Sequence, residues 1–183
     1  RTCREFPRLT HDYGDFVELQ LELSCPEAAG FILAQNRPQI ITTKTADIRE
    51  AEYDEEAMAV LKATREQALD ILFDTSRSVP EVLALLLLYG CQAQSQLDGG
   101  EDPQLDAGTA LDSVQEFLKE GNPQELADFF LTLEILTPEW NALLQAPSPA
   151  AWTNHHRALA AYLVQRYWLQ AVSDYDLYSR VKF

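Results

Sequence analysis

The hydrophobic pattern of this chain changes near residue 50, and this change constrains the fold more than any other feature of the sequence. Before it, Phe16 to Leu23 alternates between apolar and polar side chains, which is the period-2 pattern of a half-buried strand. After it, apolar residues recur at helical spacing, and helix-capping signals mark the joints between segments. The sequence therefore predicts a mostly α fold in which any strand lies within about the first 45 residues.

The alternation also predicts which strand residues are buried. The apolar positions fall on one side of the strand and the polar positions on the other, so the apolar side is expected to face the core. The apolar set is Val17, Leu19, Leu21 and Leu23, and the polar set is Glu18, Gln20 and Glu22. A helix is predicted to follow from Pro26 to Gln35, and a short β-branched strand from Ile40 to Thr45.

Six helices are predicted after residue 50. Asp54 begins the first, and Ser78 with Glu81 forms a capping box for the second. Gly99 and Gly100 stand among acids and predict an exposed loop over 97–108. The third helix ends before Gly121. The six segments are 54–75, 79–96, 109–120, 122–136, a short helix from 137, and 148–172. On the first of them Met58, Leu61, Leu69 and Leu72 share one face.

Short connections between these helices predict a helical bundle or array. The sequence divides at the change of pattern into residues 1–49, which contain cysteines and one or two short strands, and residues 50–183, which form an α-helical domain.

The charge balance makes some partners unfavourable. Fourteen Lys and Arg against 29 Asp and Glu give a net charge of −15. A surface that neutralises phosphates is hard to build from this balance, so neither nucleic acid nor an anionic membrane surface is an expected partner. Between Ser78 and His156 there are twelve carboxylates and one basic residue, Lys119. This stretch is either a solvated face that keeps the protein soluble or a surface that attracts a cationic partner.

The cysteines and the apolar runs favour a cytoplasmic protein. The longest apolar run, Val82 to Tyr89, is shorter than the ~20 residues that cross a bilayer, and no signal peptide begins the chain. Cys3, Cys25 and Cys91 are odd in number and widely spaced, which argues against a disulfide framework. Cys91 is expected to be buried beside the apolar run. Because the chain opens at Arg1 and reaches Cys3 at once, we expect an upstream part in the intact protein.

Several common catalytic and binding patterns do not occur in the sequence. The seven glycines lack the spacing of a dinucleotide or phosphate loop, and no nucleophile elbow is present. His155 and His156 are adjacent, so on a helix they point about 100° apart and are expected to be an exposed pair rather than metal ligands. His11 is expected in a loop. Taken alone, Cys3 and Cys25 are more often structural residues than ligands, because they are not arranged as CxxC.

Two elements of the sequence resemble one known family. Cys3-Arg4-Glu5-Phe6-Pro7-Arg8 stands near the start, and Ser24-Cys25-Pro26-Glu27-Ala28-Ala29 follows the predicted strand. Together they resemble the central segment of the bacterial flagellin lysine-N-methylase family, in which the first element ends a multi-cysteine metal or iron–sulfur region. Arg157, the aromatic stretch from Tyr162 to Trp168 and Asp174-Tyr175-Asp176 resemble its helical C-terminal half. The upstream cysteines of the family are absent, and Gly30 stands where a basic residue is expected.

The resemblance implies a function for the intact protein, which is N-methylation of lysine side chains of flagellin or another lysine-bearing protein. It implies Cys3 and Cys25 as metal residues, with an iron–sulfur cluster or other metal whose ligands lie mostly outside this chain. It also implies S-adenosylmethionine as methyl donor. The catalytic residues are not identified, and this fragment alone is expected to be inactive. The alternative is a non-catalytic acidic helical domain that binds a basic partner protein.

Lysine methylation also sets a physical requirement. The ε-amine must lose its proton and its hydration before it attacks a methyl group. A site for this chemistry therefore needs desolvation, and it needs carboxylates or tyrosines that position the amine. The chain is rich in both residue types.

Overall fold

The computed structural model describes residues 6–34, 41–44, 50–120, 123–134, 137–145 and 151–182. The fold is mostly α-helical with a short strand-containing segment at its start, which confirms the predicted fold class. The strands are β1 (Arg8–Asp12), β2 (Phe16–Leu21) and β3 (Ile41–Lys44). The helices are α1 (Pro26–Ala34), α2 (Glu55–Leu72), α3 (Val79–Leu97), α4 (Ala107–Glu120), α5 (Pro123–Thr132), α6 (Pro138–Leu144), α7 (Asn154–Tyr167), a 3-10 helix (Trp168–Ser173) and α8 (Leu177–Lys182).

The strands form one antiparallel sheet in the order β1-β2-β3. A tight turn joins β1 to β2, in which the Asp12 carboxylate accepts a hydrogen bond from the Gly14 backbone N–H at 3.0 Å. Gly14 has φ of +93°, a backbone conformation that favours glycine. His11 lies in β1, opposite Glu18 of β2, so the prediction that His11 stands in a loop was wrong. Residues 8–12 lack an apolar alternation, and pairing with β2 makes them a strand.

The strand predicted from the alternation is present as β2, but its burial differs from the prediction. Glu18 is 1% exposed and Leu19 is 40% exposed. Glu18 is buried because Arg65 of α2 donates a hydrogen bond to its carboxylate at 2.8 Å, which supplies the opposite charge that a buried carboxylate needs. The second predicted strand is present as β3.

Capping interactions fix the starts of the two long helices. The Asp54 carboxylate accepts from the Ala57 N–H at 3.0 Å at the start of α2. At the start of α3, the backbone N–H and the hydroxyl of Ser78 both donate to the Glu81 carboxylate, which confirms the predicted capping box. The predicted apolar face of α2, at Met58, Leu61, Leu69 and Leu72, is buried.

These two helices share one hydrophobic core with α7, the 3-10 helix and α8. At its centre the indole N–H of Trp168 donates to the hydroxyl of Thr64 at 3.0 Å. Gly90 allows α8 to approach α3, since a Cβ at this position would lie 2.7 Å from a methyl group of Val181. The core therefore joins the helix pair in the middle of the sequence to the C-terminal helices.

Cys91 is exposed, so the prediction that it is buried was wrong. The buried side of α3 contains Val82, Leu86, Tyr89 and Ala93, which recur at helical spacing. Cys91 falls between the last two of these and points away from the core.

The C-terminal helix begins later than predicted. Residues 151–153 are not helical, and α7 starts at Asn154, where the Thr153 N–H donates to Nδ1 of His156 at 3.0 Å. The predicted start at Ser148 and Pro149 lies outside the described residues. The helix continues into the 3-10 turn to Ser173, close to the predicted end at Val172, and α8 was not predicted.

The chain forms two compact units, which we call the main unit (Arg1–Leu105 with Thr153–Phe183) and the small unit (Asp106–Trp152). The strands share the main unit with α1, α2, α3, α7 and α8, whereas the predicted division placed them apart at residue 50. The small unit contains α4, α5 and α6, and the Thr137 hydroxyl caps α6 by accepting from the Trp140 N–H at 3.1 Å. The predicted caps at Gly121 and Asn122 lie outside the described residues.

Among the helices that the structure describes, none combines the length and the apolar character needed to span a bilayer.

Candidate functional site

A cavity of about 530 Å³ lies in the main unit where the β1–β2 turn meets the segment before α2 and the 3-10 helix. We call it the Tyr53 pocket. Its lining residues are Thr10, His11, Asp12, Tyr13, Gly14, Glu52, Tyr53, Gln170, Val172 and Ser173. The volume falls in the range of small-ligand sites in proteins.

The β1–β2 turn positions one wall of the pocket. Gly14 packs against the backbone of Glu50, since a Cβ at residue 14 would lie 2.6 Å from the Glu50 carbonyl oxygen. This close approach holds the turn against the segment that carries Glu52 and Tyr53. The Tyr53 hydroxyl donates to the Asp15 carboxylate at 2.7 Å, which ties the same two segments together a second time.

Aromatic rings form the adjoining wall. The Tyr13 ring stacks on Phe16 with centroids 4.7 Å apart, and the Tyr53 ring meets both of them edge-on at 6.4 and 6.3 Å. Outside the lining residues, the Lys62 ammonium lies 3.9 Å from the centroid of Phe16. This aromatic cluster of Tyr13, Phe16 and Tyr53 thus already contacts one ammonium group of the chain.

The titratable groups of the pocket give it an anionic character near pH 7. Asp12 and Glu52 are exposed at its mouth. Burial lowers the pKa of His11 below its ordinary value of 6.5, Glu18 opposes this effect and the charge of Arg166 adds to it, so the imidazole is mainly neutral at pH 7. Burial raises the pKa of Tyr13 well above its ordinary value. Burial, together with the hydrogen bond to Asp15, raises the pKa of Tyr53 to about 12, so both phenols stay protonated.

This arrangement is suited to a cation. The lining residues include no Lys or Arg within the part of the chain that the structure describes. Carboxylates at the mouth attract positive charge, phenol oxygens accept hydrogen bonds from an N–H donor, and aromatic faces stabilise an ammonium group.

The structure describes one of the two predicted metal residues, Cys25, but not Cys3. Cys3 lies outside the described residues. Cys25 is partly buried and directly precedes α1, where its carbonyl accepts from the Ala29 N–H at 2.9 Å. No three His, Cys, Asp or Glu side chains are grouped to hold a metal within the described ranges. The described residues therefore do not themselves form a metal site, and the roles of Cys3 and Cys25 stay predictions.

The other residues that the sequence analysis named, the histidine pair and Arg157, lie in or near α7. His155 and His156 are exposed at the start of α7, as predicted. The guanidinium of Arg157 is buried and donates to three backbone carbonyls at distances of 2.8 to 3.0 Å, that of Leu72 at the end of α2 and those of Asp74 and Arg77 just after it.

The C-terminal stretches that support the resemblance also make contacts within the main unit. Arg166 donates to the Glu22 carboxylate at 2.9 Å and to the Tyr162 hydroxyl at 2.8 Å. Arg180 donates two hydrogen bonds of 2.9 Å to the Asp174 carboxylate. These contacts hold α7 to the residue that follows β2 and hold α8 to the end of the 3-10 helix, and they leave the Tyr53 pocket as the candidate site.

Sequence reasoning missed this pocket. Asp12-Tyr13-Gly14-Asp15 carries the Asx and glycine signals of a tight turn and could have indicated the β1–β2 hairpin. The contributions of Glu52, Tyr53 and Gln170 depend on tertiary packing and have no local signal.

Comparison with protein-family models, with curated proteins and with solved structures found no match to this chain.

Proposed function

We propose that this chain is part of a protein that N-methylates lysine side chains of flagellin or another lysine-bearing protein, as the resemblance to the flagellin lysine-N-methylase family implies. The observation that carries the proposal is a run of exposed carboxylates in the sequence, of which Asp98, Glu101 and Asp102 lie in the main unit and the others in the small unit. Nine carboxylates between Asp98 and Glu139 are exposed, and the only basic residue in that range of the sequence is Lys119. The exposed acids are Asp98, Glu101, Asp102, Asp106, Asp112, Glu116, Asp128, Glu134 and Glu139.

Such a run of carboxylates favours capture of a cationic protein. Interspersed basic residues would cancel a long-range field, and here they are nearly absent. Lysine-bearing proteins are therefore attracted over distances of about a Debye length, ~8 Å at physiological salt. Attraction of this kind acts mainly on the association rate.

The remaining parts of the proposal come from the resemblance. S-adenosylmethionine, when bound, supplies the methyl group. Cys3 and Cys25 take part in holding an iron–sulfur cluster or other metal together with ligands elsewhere in the intact protein. Its proposed location is the cytoplasm, which rests on the odd number and wide spacing of the cysteines rather than on the resemblance. This chain contributes capture of the substrate protein and desolvation of its lysine.

The test is a methylation assay with the intact parent protein. Flagellin is incubated with the parent and S-adenosylmethionine, and lysine-containing peptides are examined by mass spectrometry. The proposal predicts the mass of one or more methyl groups on surface lysines, and none when the lysines have been acetylated beforehand. Unmodified lysines after incubation with a folded parent that contains its metal would refute it.

A second candidate is the non-catalytic interaction domain. It is favoured by apolar side chains that are exposed in the small unit, namely Phe129, Phe130, Leu131, Leu133 and Trp140. Clustered exposed apolar residues are typical of protein-binding surfaces. The same assay separates the two functions, because an interaction domain retains flagellin or another basic protein without changing its mass.

A further inference from the structure

We propose that the Tyr53 pocket binds the alkylammonium group of a lysine side chain. The choice of lysine among alkylammonium ligands rests on the proposed function. The preference for an ammonium group rests on the pocket itself, through its aromatic wall, its two carboxylates and its lack of a lining Lys or Arg among the described residues.

The aromatic wall contributes the first part of the argument. The rings of Tyr13, Phe16 and Tyr53 have centroids 4.7 to 6.4 Å apart and form one aromatic cluster, in which Tyr13 stacks on Phe16 and Tyr53 lies nearly perpendicular to both. Lys62 shows that an ammonium group is accommodated on this cluster, with its nitrogen 3.9 Å from the Phe16 centroid. Tyr13 and Tyr53 line the pocket, so a second ammonium can meet the rings from inside it.

The carboxylates contribute the second part. The hydrogen bond from Gly14 N–H fixes the Asp12 carboxylate on the turn, and Glu52 stands one residue before Tyr53. Both are exposed at the mouth, so their attraction is screened and each contributes a modest factor, about threefold in affinity. Together with the rings they favour a positive charge on a slender apolar stem.

Other ligand classes fit less well. An anion such as phosphate would face two carboxylates and no lining Lys or Arg from the described residues. A divalent metal prefers more ligands than two carboxylates, and the described residues hold no such group. A lysine stem does not fill a cavity of about 530 Å³, which leaves space for the neighbouring residues of the substrate peptide.

His11 is consistent with a cationic ligand. Its Nδ1 lies 3.5 Å from the amide nitrogen of Gln170, and its Nε2 is buried without a hydrogen-bond partner among the described atoms. Because burial lowers the pKa of His11, the imidazole adds little positive charge to the pocket at pH 7.

The test is an NMR titration of the full 183-residue chain at pH 7. Nα-acetyl-lysine methylamide is the probe, and Nα-acetyl-norleucine methylamide, which has an alkyl stem without the charge, is the comparison. The lysine probe is expected to shift the backbone amides of residues 10–14 and 52–53, with at least about fivefold higher affinity than the norleucine probe.

Variants assign the binding to the pocket. Tyr53→Leu removes a ring and is expected to weaken binding of the lysine probe about threefold, whereas Tyr53→Phe keeps the ring and stays within about twofold. Asp12→Asn with Glu52→Gln is expected to weaken it about five- to tenfold. If that pair disturbs the fold, Glu52→Gln alone gives about a threefold loss. Glu27→Gln with Asp70→Asn removes two exposed charges outside the pocket lining and outside the range Asp98 to Glu139, and is the matched control, expected to change nothing.

Equal affinity for the two probes, shifts outside the pocket, or full affinity in the folded Glu52→Gln and Tyr53→Leu variants would overturn the inference. Its failure is distinct from failure of the proposed function. If an intact parent that lacks these side chains still methylates flagellin, the proposed function is supported and the pocket inference is refuted. If the lysine probe binds at the pocket of a parent that methylates nothing, the pocket inference is supported and the proposed function is refuted.

Discussion

Removing one partner of the Glu18–Arg65 ion pair should destabilise the main unit far more than removing both. The side chains of Glu18 and Arg65 are 1% and 10% exposed, so neither charge is hydrated in the folded protein. Glu18→Leu leaves the guanidinium buried without its carboxylate, and Arg65→Met leaves the carboxylate buried. Each single replacement is expected to cost about 3–5 kcal/mol of unfolding free energy.

The double replacement should be much milder. The pair has one hydrogen bond of 2.8 Å, and Nε of Arg65 has no hydrogen-bond partner in the described part of the chain, so the burial of the two charges is only partly compensated. Two apolar side chains of similar length avoid that desolvation. Glu18→Leu with Arg65→Met is therefore expected to cost no more than about 1.5 kcal/mol, with a coupling energy above about 3 kcal/mol.

Urea unfolding measured by the fluorescence of Trp168 provides the assay. Trp140 and Trp152 lie in the small unit, so replacing both by Phe leaves one tryptophan that reports on the main unit. A double variant whose cost equals the sum of the two single costs would refute the argument that the buried charges depend on each other.

Three further predictions concern binding, packing and pH. Charge reversal to Lys at the exposed residues Glu101, Asp102 and Asp106 should slow association of the full-length protein with its substrate and reduce the salt dependence, which stopped-flow association at two salt concentrations checks. Urea unfolding should show a change of about 0.5 kcal/mol or less at Glu101 and Asp102, and a loss of about 1 kcal/mol or more at Asp106, whose carboxylate accepts from the Gly108 and Thr109 N–H groups at the start of α4. Arg157→Met should cost about 3 kcal/mol or more, because three backbone carbonyls lose their buried donor, and Arg157→Lys should recover only part of it in the same urea assay. Hydrogen bonding by Arg180 holds the pKa of Asp174 below its ordinary value of 3.8. The stabilisation from the ionised Asp174 is therefore complete above pH 3.8 and is lost as the pH falls through the lower pKa of the folded state. Urea midpoints should decrease as the pH is lowered below 3.8, and they should decrease less in Asp174→Asn.

Local signals account for the parts of the fold that the sequence predicted well. The caps at Asp54, Ser78 and Thr137 each depend on a partner three residues away, so a short window of sequence contains the whole interaction. The apolar face of α2 depends on helical spacing alone. The exposed position of Cys91 was also available from that spacing, because it lies off the series that contains Tyr89 and Ala93.

Long-range pairing accounts for most of what was missed. Glu18 is buried through Arg65, which is 47 residues away in the chain, and no local pattern reveals such a partner. The alternation in β2 therefore predicted the strand but not the burial of its residues. The strand β1 exists through its pairing with β2.

The candidate site was missed for the same physical reason. The Tyr53 pocket draws Asp12, Tyr53 and Gln170 from three separate parts of the sequence. The two cysteine elements gave a prediction about family and metal that depends on residues outside the described ranges. The acidic stretch between Ser78 and His156 contributes none of the lining residues, so the charge pattern of the sequence indicated neither the carboxylates of the pocket nor its aromatic wall.

We propose that this chain recognises lysine side chains of a partner protein through its exposed carboxylates. The most direct measurement is binding of the full chain to immobilised flagellin, compared with binding to the same flagellin after acetylation of its lysines, which removes their charge. We expect binding at low salt that weakens as salt is added, and at least about tenfold weaker binding to the acetylated protein. Equal affinity for the two forms of flagellin would contradict the claim.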